Sequence, residues 1–225
     1  MNQMQRYAVY YAPRDGDFST AAAAWLGWDA VAGGAVPQPE VPGISALTAE
    51  PRKYGFHGTL KPPFRLAEGV SADDLSEAVA DLATRLAPVE MPGLQLVFLD
   101  GFLAMILVGD TAALLDLAAQ VVVDLDPLRA PLTEAEIARR RPESLTPRQR
   151  ELLASYGYPY VLEQFQFHLT LSGRLQDKDA ETLRFAAIRH FDGLSPQPFR
   201  LEELCLFGED QDGRFHLLHR YPLMA

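Results

Sequence analysis

Apolar residues in this chain either alternate over short stretches or recur every three to four residues, which predicts a mixture of strands and helices. Period-two alternation and turn signals predict strands at residues 7–11, 54–60, 93–99, 102–108, 165–171, 199–207 and 214–221. Helical periodicity predicts helices at residues 17–28, 71–86, 110–125, 133–140, 146–155 and 177–190. The expected helix caps are Asp17 or Ser19, then Ser71, Asp110, Thr133 and Thr146. Residues 30–51, rich in proline and glycine, are expected to form a loop, and Pro62-Pro63 to end the second strand.

The order strand, helix, hairpin occurs twice, first from residue 54 and again from residue 165. His57 precedes the turn glycine Gly101 by 44 residues, and His168 precedes Gly213 by 45 residues. Duplication of one lobe is the simplest interpretation, although an α+β chain can show this order twice by chance. We expect an α+β fold in one bilobal domain (1–225), with pseudo-symmetric lobes that each have an antiparallel sheet and flanking helices. Its parts are an N-terminal half (1–125), a helical insert (126–160) and a C-terminal half (161–225).

Each half carries a histidine and a threonine at the same place on its leading strand. The first strand contains His57-Gly58-Thr59-Leu60, and the second contains His168-Leu169-Thr170-Leu171. Side chains alternate across a strand, so polar residues two apart share a face. The polar face predicted for the first strand consists of His57, Thr59 and Lys61. The polar face predicted for the second strand consists of Gln166, His168, Thr170 and Ser172.

Two histidines that face one cleft suit acid–base catalysis near neutral pH. One neutral imidazole can take a proton from water or a hydroxyl, while the other, as imidazolium, protonates the departing oxygen. A threonine one pleat away can donate a hydrogen bond to a phosphate oxygen and stabilise charge in the transition state. Further candidate substrate contacts are Tyr54, Lys61, Gln166 and Ser172.

Two other interpretations of the histidines remain open from the residues alone. One is a metal site, although the two polar faces supply no Asp, Glu or Cys to complete the usual three protein ligands of a catalytic zinc. The other is a pair of structural histidines, which the recurrence of H-x-T-L in both halves disfavours.

Charge is unevenly distributed along the chain. The formal net charge is −10, but residues 129–150 hold six arginines against three glutamates, a net of +3 that leaves −13 elsewhere. An acidic body disfavours long nucleic acids and anionic membranes as partners. In the insert, Arg139, Arg140 and Arg141 form either a basic flap over the cleft, which attracts a phosphorylated substrate, or a solvated helical face.

Other features of the composition exclude further classes of protein. Cys205 is the single cysteine, so an internal disulfide is excluded. No apolar run approaches the roughly 18 residues that a membrane span needs. The first residues lack the basic and apolar regions of a secretory signal, and a cleaved signal is not expected.

The paired motifs resemble the H-x-[ST]-φ motifs of the two-histidine (2H) phosphoesterase superfamily. The longer blocks at residues 52–64 and 165–173 further resemble a branch associated with bacterial phosphonate-utilisation operons. The resemblance implies a cleft between pseudo-symmetric lobes, cytoplasmic location, and hydrolysis of cyclic or simple phosphodiesters without metal or cofactor. It implies His57 and His168 as the acid/base pair, and Thr59 and Thr170 as the phosphate-binding residues.

The expected function is that of a phosphodiesterase acting on a small phosphodiester, such as a sugar cyclic phosphate in phosphonate metabolism. One alternative is an RNA 2′,3′-cyclic phosphodiesterase or an enzyme like a 2′–5′ RNA ligase. An alternative of another class is a non-catalytic protein that binds a phosphate ligand. The expected partner is a small phosphorylated substrate, rather than a long nucleic acid, a membrane or an obligate protein partner.

Overall fold

A computed structural model describes residues 4–225 of the chain, and the predicted strands and helices occur there in the expected order. The strands are β1 (Arg6–Tyr11), β2 (Trp28–Asp29), β3 (Gly34–Ala35), β4 (Gly58–Phe64), β5 (Val89–Met91), β6 (Gly93–Leu99), β7 (Phe102–Val108), β8 (His168–Arg174), β9 (Phe199–Leu201), β10 (Glu203–Glu209) and β11 (Phe215–Pro222). The helices are α1 (Asp17–Leu26), α2 (Ile44–Leu47), α3 (Ala49–Arg52), α4 (Ala72–Arg85), α5 (Ala112–Asp124), α6 (Glu134–Arg139), α7 (Pro147–Tyr156) and α8 (Asp177–His190). Within residues 4–225, none of the helices combines the length and the apolar character needed to cross a bilayer.

Seven strands form one antiparallel sheet in the order β11-β10-β1-β4-β8-β7-β6. Its two parts meet at a single residue pair, Gly58 of β4 opposite Leu169 of β8. Strands β11, β10, β1 and β4 form one lobe, and strands β8, β7 and β6 form the other. The predicted α+β class with two antiparallel lobes is confirmed.

The two sequence repeats exchange their hairpins between the lobes. Each repeat runs strand, helix, short strand, hairpin: first β4-α4-β5-β6-β7, then β8-α8-β9-β10-β11. Strand β7 of the first repeat pairs with β8 of the second, whereas β10 of the second repeat reaches β4 through β1. Each lobe therefore contains strands from both halves of the chain, not one half alone as the repeat order suggested. Local patterning does not encode such long-range pairing.

Helices α1, α4, α5 and α8 cover one face of the sheet, and the cleft opens on the other. Tyr7, Val9 and Tyr11 of β1 pack into the main hydrophobic core together with residues of α1, α4, α5 and α8. Tyr10 points to the opposite face, where it packs with Phe207. This division leaves the second face of the sheet centre for the functional site.

Several predicted boundaries and caps differ from the structure. Helix α1 begins after Gly16 with no side-chain cap, so the prediction of Asp17 or Ser19 as cap is wrong; the Ser19 hydroxyl instead donates to the Gly16 carbonyl. Helix α5 begins after Thr111, and the Asp110 carboxylate still accepts the first-turn N–H of Ala112. Residues 30–51, expected to be a loop, contain β3 and the short helices α2 and α3. The strand predicted at 199–207 is divided into β9 and β10.

Both motif strands begin later than predicted, and β4 does not end at its prolines. Gly55 has a φ of +72°, which makes the segment before His57 a turn rather than a strand. Strand β4 continues through Pro62 and Pro63, which have no N–H to donate. Because β8 pairs only with Gly58, the prolines lack a strand partner on that side. Toward β1 they lie within an irregularity of the register.

Candidate active site

An open cavity of about 320 Å³ lies over the junction of β4 and β8, with walls from both lobes. Six of the residues predicted from the sequence line it: Tyr54, His57, Thr59, Arg140, Thr170 and Ser172. Residues that the sequence analysis did not assign to the site also line it, including Arg6, Tyr10, Phe102 and Arg174. His168 flanks the cavity, with its ring centroid 5.6 Å from that of Phe102.

The register at the junction sets the two motifs face to face. Gly58 and Leu169 are the paired residues. Continuing this antiparallel register by one residue in each direction places His57 opposite Thr170, and Thr59 opposite His168. Both His–Thr pairs therefore flank the same junction of the sheet.

The two imidazoles are anchored in the same way. Nδ1 of His57 lies 2.9 Å from the carbonyl oxygen of Gly55, and Nδ1 of His168 lies 2.8 Å from the carbonyl oxygen of Gln166. A carbonyl oxygen only accepts, so each Nδ1 carries the hydrogen and donates it. In the neutral rings, Nε2 is then the basic nitrogen. Each histidine can accept a proton at Nε2 and, once protonated, donate it from the same atom.

Burial lowers the pKa of both histidines. The pKa of His57 falls to about 4 because its ring is desolvated, and the nearby His168 lowers it further. The His57 ring stacks on Tyr10, with 4.0 Å between the ring centroids. Burial also lowers the pKa of His168, against the opposing effects of the Gln166 hydrogen bond and the charge of Asp100. Both shifts favour the neutral form of the rings, and a bound anion would favour protonation of one of them.

Gly58 provides the space on which the packing under the two motifs depends. A Cβ atom at this position would overlap the ring of Phe167 and lie 3.1 Å from a methyl carbon of Leu169. Phe167 is itself buried and directly precedes His168. The glycine between His57 and Thr59 thus lets the apolar residues of the second motif pack beneath the first.

Lys61 does not share a face with His57 and Thr59, so that prediction is wrong. Its side chain is buried, with Nζ 3.0 Å from the carbonyl oxygen of Val122 and 3.3 Å from the Asp126 carboxylate. In the pairing with β1, Val9 lies opposite Lys61 and Tyr10 opposite Thr59, so Leu60 is an extra residue. Such a bulge reverses the alternation of side chains beyond Thr59. Lys61 therefore stabilises the end of α5 from within the protein instead of binding substrate.

Gln166 and Ser172 contribute hydrogen bonds to the structure around the site. The Gln166 side chain lines a separate groove beside α5, and its backbone carbonyl anchors His168. The Ser172 hydroxyl accepts the Leu103 N–H at 2.9 Å and donates to the Gly173 carbonyl at 2.8 Å. These hydrogen bonds lie where the register between β7 and β8 shifts. Ser172 forms part of the cleft wall, but its hydroxyl is already engaged.

Only one of the three insert arginines proposed as substrate contacts lines the cleft. Arg140 does so, with its guanidinium carbon 4.7 Å from the ring centroid of Tyr158. Arg139 and Arg141 are exposed, and Arg139 donates to the Ala135 carbonyl of its own helix. The helices predicted in the insert are observed as α6 and α7, with Thr133 and Thr146 as caps.

The residues that the sequence analysis missed come from strands whose neighbours it could not identify. Tyr10 lies on β1 beside β4, and Phe102 lies on β7 beside β8. Arg6 also lines the cleft but is paired with Glu209, with Nη2 2.6 Å from Oε1. Arg174 is the exception that the sequence could have identified as a cleft residue, since it continues the series of polar positions at 168, 170 and 172.

A metal centre finds no support in the donor set. Within residues 4–225, no group of three or more His, Cys, Asp or Glu side chains is placed to hold a metal ion. Among these described residues, His57 and His168 therefore have no acidic or thiol side chain placed beside them for joint metal binding.

Two curated relatives are similar to this chain over nearly all of its length. Both are named "Ribose 1,5-bisphosphate phosphokinase PhnN". The protein from Janthinobacterium sp. (strain Marseille) is 37% identical over 220 residues, which cover 93% of this chain and 49% of the relative. The protein from Laribacter hongkongensis (strain HLHK9) is 37% identical over 227 residues, which cover 98% of this chain and 52% of the relative. The chain thus spans about half the length of the curated relatives it matches.

Solved structures show a weaker, global similarity. Crystal structures of E. coli LigT complexed with ATP and with NADP+ align over 99% of both chains, with 13% and 15% sequence identity. The TM-scores are 0.44 and 0.45. At these TM-scores the superpositions do not establish a common fold.

A family match covers most of the chain. Residues 59–216 match the family described as "Protein of unknown function (DUF1045)". The matched segment runs from Thr59 through His168 and Thr170 to the last strand, and includes well over half of the chain. The chain therefore belongs to the DUF1045 family.

Proposed function

We propose that the chain is a metal-independent phosphodiesterase that hydrolyses a small cyclic phosphodiester by two-histidine acid–base catalysis. The observation that carries the proposal is the matched pair of histidines, each anchored through Nδ1 to the carbonyl two residues before it, on either side of the Gly58–Leu169 junction. The resemblance of both H-x-T-L motifs to the 2H superfamily supports the same assignment.

In this mechanism one neutral histidine accepts a proton from water at Nε2 while the water oxygen attacks phosphorus. The other histidine, as imidazolium, donates its Nε2 proton to the ester oxygen that leaves. Thr59 and Thr170 donate hydrogen bonds to the non-bridging phosphate oxygens, where charge grows in the transition state. One P–O bond forms and one breaks, so the product is a phosphomonoester with a free hydroxyl. The matched anchoring lets either histidine take either role.

For the substrate we propose a cyclic phosphate of a phosphorylated pentose. The curated relatives are named for a kinase of ribose 1,5-bisphosphate and are about twice as long as this chain. This chain has no G-x-x-x-x-G-K-[ST] nucleotide-binding motif. We therefore assign the kinase activity in the relatives' names to the half of those proteins that lies outside the match with this chain. Hydrolysis of a diester bridging O1 and O2 of ribose 5-phosphate, with cleavage at O2, would yield ribose 1,5-bisphosphate. A hydrolase fused to the kinase would then supply the kinase's substrate.

A panel of cyclic phosphates tests this function. The wild type and His57→Ala are incubated with ribose 5-phosphate 1,2-cyclic phosphate and with nucleoside 2′,3′-cyclic phosphates, and products are followed by ³¹P NMR. We expect the wild type to open the sugar diester fastest, and His57→Ala to be slower by at least ~10²-fold. Binding of these compounds without turnover would contradict the proposal and favour the non-catalytic phosphate-binding alternative.

A nucleoside cyclic phosphate is the second candidate, because one wall of the cleft is aromatic. Tyr54 and Tyr158 line the cavity and are only partly buried, and aromatic rings can stack on a base. Preferential hydrolysis of nucleoside 2′,3′-cyclic phosphates in the same panel would select this candidate. The acidic body of the protein disfavours a long RNA as the natural substrate.

A further inference from the structure

The cleft contains positive charge that hydrolysis of a diester does not itself require. Arg140 and Arg174 both line the cavity, and in the described part of the chain neither has a carboxylate partner. The third arginine of the lining, Arg6, is neutralised by its bidentate pairing with Glu209. Among the residues that the structure describes, Glu50 is the one acidic residue of the lining, and it is 3.3 Å from Lys53.

Arg140 is held in place without the use of its hydrogen-bond donors. Its guanidinium lies over the ring of Tyr158, which packs with the buried Val122 and Leu152 at the base of the insert. The insert is tied to the end of β4 by an ion pair between Arg65 and Glu136, at 2.9 Å. Cation–π stacking fixes the plane of a guanidinium and leaves its N–H groups available for an anion.

Arg174 approaches the same cavity from the other lobe. It is the last residue of β8 and lies opposite Phe102, another residue of the cleft wall. An ideal Cβ placed on Gly101 would lie 3.5 Å from Nη1 of Arg174, so the side chain passes over the β6–β7 turn. Arg174 lies four positions after Thr170, on the far side of the register shift between β7 and β8. Arg174 is thus placed for a group other than the phosphate held by the threonines.

We propose that Arg140 and Arg174 form a second anion subsite, which binds a phosphate monoester on the substrate remote from the scissile diester. This inference rests on the proposed function and specifies its substrate as a small sugar with two phosphate groups. A phosphodiester carries a single negative charge, whereas a monoester carries nearly two at pH 7 and offers three oxygens to guanidinium donors. A 5-phosphate on a pentose cyclic phosphate meets that description.

The test compares two substrates that differ only in the remote phosphate: ribose 5-phosphate 1,2-cyclic phosphate and ribose 1,2-cyclic phosphate. The measured quantity is the ratio of their kcat/KM values for the wild type and for the Arg140→Ala/Arg174→Ala double variant. We expect the double variant to lose at least about tenfold of the preference for the phosphorylated substrate. The matched control is Arg139→Ala, which removes the neighbouring arginine outside the cleft and is expected to retain the wild-type ratio.

A binding measurement separates failure of this inference from failure of the proposed function. Calorimetry compares ribose 1,5-bisphosphate with ribose 1-phosphate on the wild type and the double variant. If the wild type hydrolyses neither cyclic ester but its preference for the bisphosphate is lost in the double variant, the subsite stands and the proposed function falls. If the wild type hydrolyses the esters and the double variant keeps the wild-type preference in both assays, the subsite is overturned while the function stands.

Discussion

At the residue scale, the proposed mechanism depends on two imidazoles whose pKa values are lowered by burial. The pKa of His57 is lowered to about 4, and that of His168 is also below its ordinary value of 6.5. Catalysis requires one neutral and one protonated ring. In the free protein the neutral ring is abundant at pH 7, and the protonated ring is scarce. In the proposed mechanism, the supply of imidazolium therefore limits the activity of the free protein.

This arrangement sets the sign of the pH dependence. As pH rises above the higher of the two pKa values, the fraction with one protonated histidine falls about tenfold per pH unit. We expect kcat/KM to peak below pH 6.5 and to fall on the alkaline side, as measured from a steady-state profile on a cyclic phosphate. A kcat/KM that continues to rise up to pH 8 would contradict this assignment of the acid.

At the element scale, the bulge in β4 separates two residues that strict alternation places together. Thr59 lines the cleft, while Lys61 is buried against α5 and Asp126. Burial lowers the pKa of Lys61 to about 8, against the favourable charge of Asp126. The two hydrogen bonds of this ammonium group offset part of the cost of burying it. Lys61 thus has a structural role outside the cleft.

Replacement of Lys61 tests this role. In Lys61→Met the Val122 carbonyl loses its donor, whereas Asp126 keeps Arg129, at 2.8 Å. We expect the free energy of unfolding to fall by about 1–3 kcal/mol, with KM for a cyclic phosphate unchanged, as measured by urea unfolding and steady-state kinetics. The control is Lys178→Met on the exposed side of α8, with an expected change within about 0.5 kcal/mol. A raised KM with an unchanged free energy of unfolding would instead indicate that Lys61 contacts the substrate.

Local sequence signals were sufficient to predict some of the elements of the fold, but not the pairing of distant strands. Helices with strong local start signals were correctly placed: Ser71, Thr133 and Thr146 all form capping boxes with the residue three positions later. The paired His–Thr motifs were also found at the centre of the sheet. Prediction failed where pairing between distant strands decides the outcome, as for the face of Lys61 and the continuation of β4 through Pro62 and Pro63. Tyr10 and Phe102 could be placed in the site only once the strand order was known.

At the scale of the whole molecule, the exchange of hairpins makes each half of the chain necessary to the other's motif. His57 stacks on Tyr10 of β1, which pairs with β10 from the second repeat. His168 lies beside Phe102 of β7, which belongs to the first repeat. Each catalytic candidate is thus supported by strands from both ends of the chain.

The charge of the cleft differs from that of the chain as a whole. The chain has a formal net charge of −10, yet Arg140 and Arg174 in its cleft lack carboxylate partners among residues 4–225. Long-range repulsion disfavours extended polyanions, while short-range guanidinium contacts favour a small one. A substrate that fits inside the cavity of about 320 Å³ satisfies both conditions.

We propose that His57 and His168 hydrolyse a small phosphodiester without a metal. The decisive measurement is the turnover of ribose 5-phosphate 1,2-cyclic phosphate in excess chelator by the wild type, His57→Ala, His168→Ala and the double variant, with folding verified by circular dichroism. Because the two rings act as a unit, we expect full wild-type activity, losses of at least ~10²-fold in kcat for each single variant, and little further loss in the double variant. Loss of wild-type activity in chelator with recovery on added zinc, or retained turnover in both folded single variants, would contradict the claim.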